Sequence, residues 1–156
     1  MSLDSRGPAL VAGAGGFIGG HLVGRLLDLG WSDVRAVDRK PLGDWYQVHA
    51  AAESVQADLS RREGADAAVD GRSQVFGLAA DMGGMGFIEA NRALCMLSVL
   101  INTHLLQAAV AAGVERYFFS SSACVYAADK QVSFEVTPLA EADAYPAMPE
   151  DGYGWE

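Results

Sequence analysis

At 156 residues the chain suits one domain with a sizeable core, and its net charge of −9 argues against nucleic acid as a partner. Half the residues are apolar (51%), yet no run approaches the length needed to span a membrane, so no membrane partner is expected. Two cysteines, Cys95 and Cys124, make no disulfide framework and fit a reducing cytoplasm.

Residues 1–8 read as an N-terminal extension without the apolar core of a secretion signal. A single domain is expected over 9–156. Ala9–Ala12 forms the first strand and runs into Gly13-Ala14-Gly15-Gly16-Phe17-Ile18-Gly19-Gly20. Gly13, Gly16 and Gly19 give the spacing G-x-x-G-x-x-G. The first allows a sharp turn at positive φ, the second a close backbone approach to a ligand, and the third tight packing of helix on strand. The N–H groups that open the helix, around Phe17 and Ile18, favour an anion, and a pyrophosphate suits the place. The helix carries Ile18, Leu22, Leu26 and Leu29 at helical spacing, and Gly30 stands where a C′ residue belongs.

Val34–Asp38 reads as a second strand ending in a carboxylate, 19 residues past Gly19. A dinucleotide-binding fold places there the acid that holds the adenosine ribose hydroxyls. Arg39 and Lys40 follow it, basic residues able to tolerate the 2′-phosphate of NADP. Gly43–Ala52 reads as helical. Ser54–Ala57 is a third strand closing on Asp58-Leu59, and Ser60 with Glu63 reads as a capping box for a short helix that stops near Asp70-Gly71. Gln74–Ala79 is a fourth strand. Ala80–Gly86 is a glycine-rich loop, Phe87–Ala112 a long helix ended by Gly113, and Tyr117–Ser121 a fifth strand. This alternation predicts an α/β, doubly wound parallel sheet of Rossmann type, strand order 3-2-1-4-5, with the ligand above strands 1 and 4.

Beyond the fifth strand lie Ser122, Cys124 and, after a loop with Pro138, Pro146 and Pro149, Tyr153. A loop of that length points to function. A Tyr beside a nicotinamide can take a hydroxyl proton as hydride leaves, given a cation to lower its pKa, and a Ser can hold the substrate hydroxyl. The alternatives are a serine bonded to backbone and a cysteine that only packs. No cluster suggests a metal; His21, His49 and His104 have no ligand-like neighbours in sequence.

Together, the glycine turn, Asp38, Asp58-Leu59, Ala79-Ala80, Ser122 and Tyr153 resemble the extended short-chain dehydrogenase/reductases, the NAD-dependent epimerase/dehydratase family. The run Ala79–Ile88, Ser121–Tyr126 and Glu141–Gly154 resemble, more narrowly, the GDP-mannose 3,5-epimerases. The resemblance implies NAD as cofactor, contacted by Gly13, Gly16, Phe17, Ile18, Gly19, Asp38, Arg39, Asp58, Leu59, Ala79 and Ala80. It implies a nucleotide-sugar substrate, GDP-mannose, approached by Gly83, Gly84, Met85 and Gly86. It also implies a cycle of C4 oxidation by Tyr153 with Ser122, proton exchange at C3 and C5 with Cys124 as one acid/base, and re-reduction. A homodimer is left open. Ser98 and His104 stand where this family often carries Asn. The family motif is Tyr-x-x-x-Lys, and the sequence runs only to Glu156, so the expectation is the cofactor-binding half of a longer enzyme, truncated before its substrate domain. Another sugar epimerase or dehydratase, or a dinucleotide-binding module without turnover, is the other reading.

Overall fold

A computed structural model describes residues 6–81, 86, 90–131, 138–149 and 154. The chain falls into two compact units, Met1–Asp81 with Leu97–Phe119, and Met82–Met96 with Ser120–Glu156. In chain order the elements are β1 (Ala9–Ala12), α1 (Phe17–Asp28), β2 (Val34–Asp38), β3 (Glu53–Gln56), α2 (Arg62–Val69) and β4 (Gln74–Gly77). They continue with α3 (Arg92–Met96), α4 (Ser98–Ala111) and β5 (Arg116–Phe119).

The five strands of the first unit form one parallel sheet in the order β3-β2-β1-β4-β5, as the alternation predicts. β1 lies at its centre with all four residues fully buried, because a parallel sheet covered on both faces excludes water from its middle strand. Side chains alternate between two cores. Leu10, Ala12, Val37 and Val75 pack with Ala65 and Val69 of α2 and Leu105 and Ala108 of α4. Val11, Val34 and Ala36 pack on the other face with Val23 and Leu26 of α1 and with Trp45. Burying a side chain such as Leu10 or Val11 contributes about 1.5–3 kcal/mol. The register sets Ala12 beside Val37 and Gly77. Gly13, Asp38 and Leu78 therefore emerge together at the carboxyl edge.

The α1 stripe differs from the expected one. Ile18 and Leu29 are exposed, and Gly19, Gly20, Val23 and Leu26 are buried. Gly19 sets this rotation. A Cβ there would collide with the Gly13 carbonyl and sit 2.8 Å from Ala14 Cα, so the face that contacts the turn has to be the one without a side chain. Gly13 turns the chain at φ +84°, and Gly30 and Gly113 end their helices at positive φ as expected.

Gly43–Ala52 is not helical. Only a 3-10 turn at Leu42–Asp44 forms, because Trp45 is drawn into the second core, its indole N–H donating to Lys40 O (2.9 Å), and Tyr46 N donates to Gly15 O (3.1 Å). Nor does Ser60 cap α2. Its hydroxyl donates to Asp58 Oδ1 (2.6 Å), and the helix begins after Arg61 without a side-chain cap. β3 lies one residue earlier than expected, and β4 and β5 end two residues sooner, since the ladder stops where β1 turns at Gly13.

The long helix expected over 87–112 is interrupted by a turn at Leu97 between α3 and α4; residues 87–89 lie outside the described residues. One helical stretch, Arg92–Ala111, is long and apolar enough by length and composition to cross a membrane, contrary to the reading that no run approaches that length. Ile101, Leu105, Ala108 and Ala109 of that stretch are buried in the first core.

In the second unit, 3-10 turns at Ala128–Gln131 and Glu141–Ala144 are tied by Lys130 Nζ to Asp143 Oδ1 (3.0 Å). The Asp143 carboxyl is held below the usual range by the Ala140 amide (2.8 Å) and then by Lys130.

Gly19→Ala is expected to destabilise the fold by about 2 kcal/mol or more, as overpacking against backbone does. Gly43→Ala, where an added methyl meets nothing within 4 Å, should stay within about 0.5 kcal/mol of the parent. Urea unfolding midpoints check the pair; equal midpoints would contradict the packing argument.

Candidate functional site

The carboxyl edge of the sheet opens into a cleft with about 620 Å³ of empty space, part of it open to solvent. Its floor is Gly13 and Gly16, one side is Asp38, Arg39 and Lys40, and the far side is Leu78–Asp81. Ala57, Asp58 and Leu59, from the end of β3, complete it with Ile101 of α4. The crevice lies at the switch point, where chains leave β1 and β4 to opposite faces of the sheet.

Gly16 is the N-cap of α1 in extended conformation, and no acidic residue sits in the first turn. The first-turn N–H groups have no acceptor inside the helix, so the helix end presents a positive dipole with no acidic side chain in its own first turn. Phe17 and Ile18 begin this turn, their side chains exposed. The geometry suits a diphosphate.

Asp38 is nearly buried, and both its oxygens are oriented by backbone. Oδ2 accepts from Gly15 N and Oδ1 from Lys40 N, each at 3.0 Å. Each oxygen has a further lone pair for a ribose hydroxyl. Gly15, which the three-glycine spacing skips, makes this contact possible: a Cβ there would lie 2.9 Å from both Asp38 Cγ and Trp45 Cδ1.

Asp58 accepts from the Ser60 hydroxyl (2.6 Å) and amide (3.0 Å), with Arg61 Nε 3.4 Å away. The Ser60 hydroxyl is the main cause holding its carboxyl below the usual range; the Ser60 amide and Arg61 add to this against a smaller desolvation that raises it. Leu59 is buried beneath, and Ala79 and Ala80 form a wall of small side chains opposite.

His104 Nδ1 lies 3.0 Å from Ser60 O and His49 Nε2 3.0 Å from Gly20 O, both of them backbone contacts. Among the described residues no group of three potential metal ligands occurs.

The expected chemical residues belong to the second unit or fall outside the described residues. Ser122 caps a 3-10 turn at Ala123–Val125, its Oγ accepting from Cys124 N at 3.2 Å. That bond uses a lone pair and leaves the hydroxyl hydrogen for another acceptor. Cys124 is half-buried. Gly86 is helical and exposed, while Gly83, Gly84, Met85 and Tyr153 lie outside the described residues. Sequence reasoning missed Gly15, the Lys40 amide and Asp81. The first had a visible signal in the Gly15-Gly16 pair, whereas the other two act through backbone or through a distant partner.

The family model described as the NAD dependent epimerase/dehydratase family matches residues 9–150. The chain belongs to that family. It is 39% identical over 153 residues to GDP-mannose 3,5-epimerase 1 of Oryza sativa subsp. japonica, covering 94% of this chain and 38% of that protein. It is 40% identical over 147 residues to the Arabidopsis thaliana GDP-mannose 3,5-epimerase, covering 94% and 39%. The chain thus spans under half the length of these curated relatives. Among solved structures, MoeE5 in complex with UDP-glucose and NAD is 34% identical with a TM-score of 0.70, over 96% of this chain and 45% of that one. The Thermus thermophilus UDP-glucose 4-epimerase complex with NAD is 26% identical with a TM-score of 0.76, over 95% and 46%.

NAD is the cofactor of this family, and the cleft fits it. The α1 N-terminus would hold the diphosphate, Asp38 the adenosine ribose, and Asp58 with Leu59, Ala79 and Ala80 the adenine side.

Replacing Ser60 by Ala should raise the Asp58 pKa toward the ordinary carboxylate value. Because the folded-state pKa is depressed, the stability this group adds is present above its unfolded pKa and lost as pH falls through the folded one. In the variant that contribution is smaller, and its loss is complete at a higher pH. A carboxyl-carbon NMR titration of Asp58 reads the shift; an unchanged midpoint would remove Ser60 as the cause.

Proposed function

We propose that the chain is the cofactor-binding part of a nucleotide-sugar epimerase that acts on GDP-mannose by inverting C3 and C5. One observation carries the reading: the cleft residues and Cys124, two positions past Ser122, occur together in a chain that is about 40% identical to GDP-mannose 3,5-epimerases over 94% of its length. When bound, NAD accepts a hydride from the sugar C4 and later returns it. Tyr153, with Ser122 holding the hydroxyl, takes the C4 hydroxyl proton during that oxidation. The resulting ketone makes the hydrogens on C3 and C5 acidic. Cys124 removes or returns a proton on one ring face, a task suited to a thiol, whose unperturbed pKa is about 8.5. An acid/base partner on the opposite face completes each inversion. Gly83, Gly84, Met85 and Gly86 are the residues that the sugar approaches, three of them without a side chain. In the Tyr-x-x-x-Lys motif of such enzymes, a lysine four residues past the tyrosine would be the cation that lowers the phenol pKa.

The test compares this chain with one extended through the Tyr-x-x-x-Lys helix and the rest of an epimerase-length sequence, in deuterium oxide with GDP-mannose and NAD. The extended protein should incorporate deuterium at C3 and C5, and the 156-residue chain should bind NAD without turnover. Cys124→Ala in the extended protein should slow exchange by about a hundredfold or more and retain NAD, as loss of a general acid/base does. Exchange at the parent rate would make Cys124 a packing residue. Epimerisation by the 156-residue chain alone would overturn the need for the lysine.

A further inference from the structure

Two basic residues follow Asp38, and each is committed within the protein. Lys40 Nζ lies 3.4 Å from the Gly15 carbonyl. Arg39 is held more firmly: its guanidinium forks onto Asp81, Nη1 donating to Oδ2 at 3.0 Å and Nη2 to Oδ1 at 2.5 Å. The pair joins residues 42 apart in sequence, one following β2 and the other beyond β4, across the mouth of the cofactor cleft. Both ends are fixed by neighbours. Gln56 Nε2 donates to the Arg39 carbonyl (3.1 Å), and the Asp81 amide donates to Ser98 Oγ (3.1 Å). Ser98, the first residue of α4, is fully buried, a polar side chain that holds the backbone of residue 81 in place.

We propose that Asp81 is a specificity-determining residue for the cofactor: by occupying the Arg39 guanidinium, it withholds from a 2′-phosphate the cation best placed to bind it. The inference rests on the NAD reading of the cleft and goes beyond the repulsion exerted by Asp38. A bidentate carboxylate satisfies the planar fork that a phosphate would otherwise take. For Arg39 to turn to a ribose 2′-phosphate, it has to leave Asp81, whose side chain is 17% exposed, as an unpaired carboxylate beside the new dianion. That cost falls on NADP alone. Asp38 repels the phosphate directly, while Asp81 removes its counter-ion, so the two acids discriminate by separate routes.

The experiment titrates NAD, NADP and the half-cofactor probes 5′-ADP and 2′,5′-ADP into the protein at low salt, and reads the affinity ratio of phosphorylated to unphosphorylated ligand. The parent should favour NAD, and Arg39→Ala alone should leave the ratio within about twofold, because the guanidinium is already occupied. Asp81→Asn should raise the ratio about tenfold, the scale of one charge-assisted phosphate contact, with the gain shrinking as salt is added. The double variant with Arg39→Ala should return to the parent ratio. A pin that only stiffens the cleft would move both ligands together and leave the ratio alone. Ser98→Ala, which loosens residue 81 and leaves its carboxylate in place, should move the ratio the same way by a smaller factor. A ratio unmoved by both Asp81→Asn and Ser98→Ala while NAD still binds overturns the inference, as does a parent whose NADP binding depends on Arg39. Failure to bind any of the four ligands overturns the cofactor reading itself, a separate result.

Discussion

Everything at the carboxyl edge depends on how closely α1 approaches the turn that leaves β1. With no side chain at Gly19, the helix seats on the Gly13 carbonyl and Ala14 Cα, and its first turn is aimed along the crevice instead of away from the sheet. The same approach fixes the rotation of α1, burying Val23 and Leu26 and leaving Ile18 outside. It also brings Gly15 to Asp38. A peptide N–H in a turn and a carboxylate at the end of the neighbouring strand thereby become one rigid unit, held at 3.0 Å and closed behind by Trp45. Helix dipole and ribose acid are positioned by a single packing constraint.

Around that unit the charges are arranged by pairing. The chain carries a net charge of −9, yet the cleft has to accept a dinucleotide that is itself anionic. Asp38 is satisfied by two amides, Asp58 by Ser60 and Arg61, and Asp81 by Arg39. Each carboxylate is thus oriented before ligand arrives, and the first-turn N–H groups of α1 remain the donors of the floor. Exposed ion pairs of this sort add little stability, about 0–1 kcal/mol each. Their consequence is directional: they decide which lone pairs and donors face the ligand.

Much of this was legible in sequence. Short strands alternating with helical stretches pointed to the parallel sheet, because such a sheet needs helical crossovers. Asp38 was legible from its distance to the glycines. What escaped depended on contacts remote in sequence. Ser60 looked like a cap because its spacing to Glu63 fits one, but a carboxylate two residues back offered a shorter bond. The segment after Lys40 looked helical because local propensity could not foresee Trp45 entering the core. The stretch from Arg92 was read as part of a long helix, and its apolar length was missed; Ile101, Leu105, Ala108 and Ala109 of it pack in the first core. Ser98, which stands where the family often carries Asn, is buried and accepts a hydrogen bond from the Asp81 amide. The chemistry of Ser122 and Cys124 was read from order along the chain, which names residues without giving their orientation.

The central claim is that the α1 N-terminus and Asp38 form one pre-built dinucleotide site. Its most direct test is an amide NMR titration of the 156-residue chain with NAD. The account predicts that the Gly15, Gly16, Phe17, Ile18, Asp38 and Lys40 amides shift together and saturate on one curve, with far smaller changes along the exposed side of α4. Shifts confined elsewhere, or separate curves for the turn and for Asp38, would contradict it.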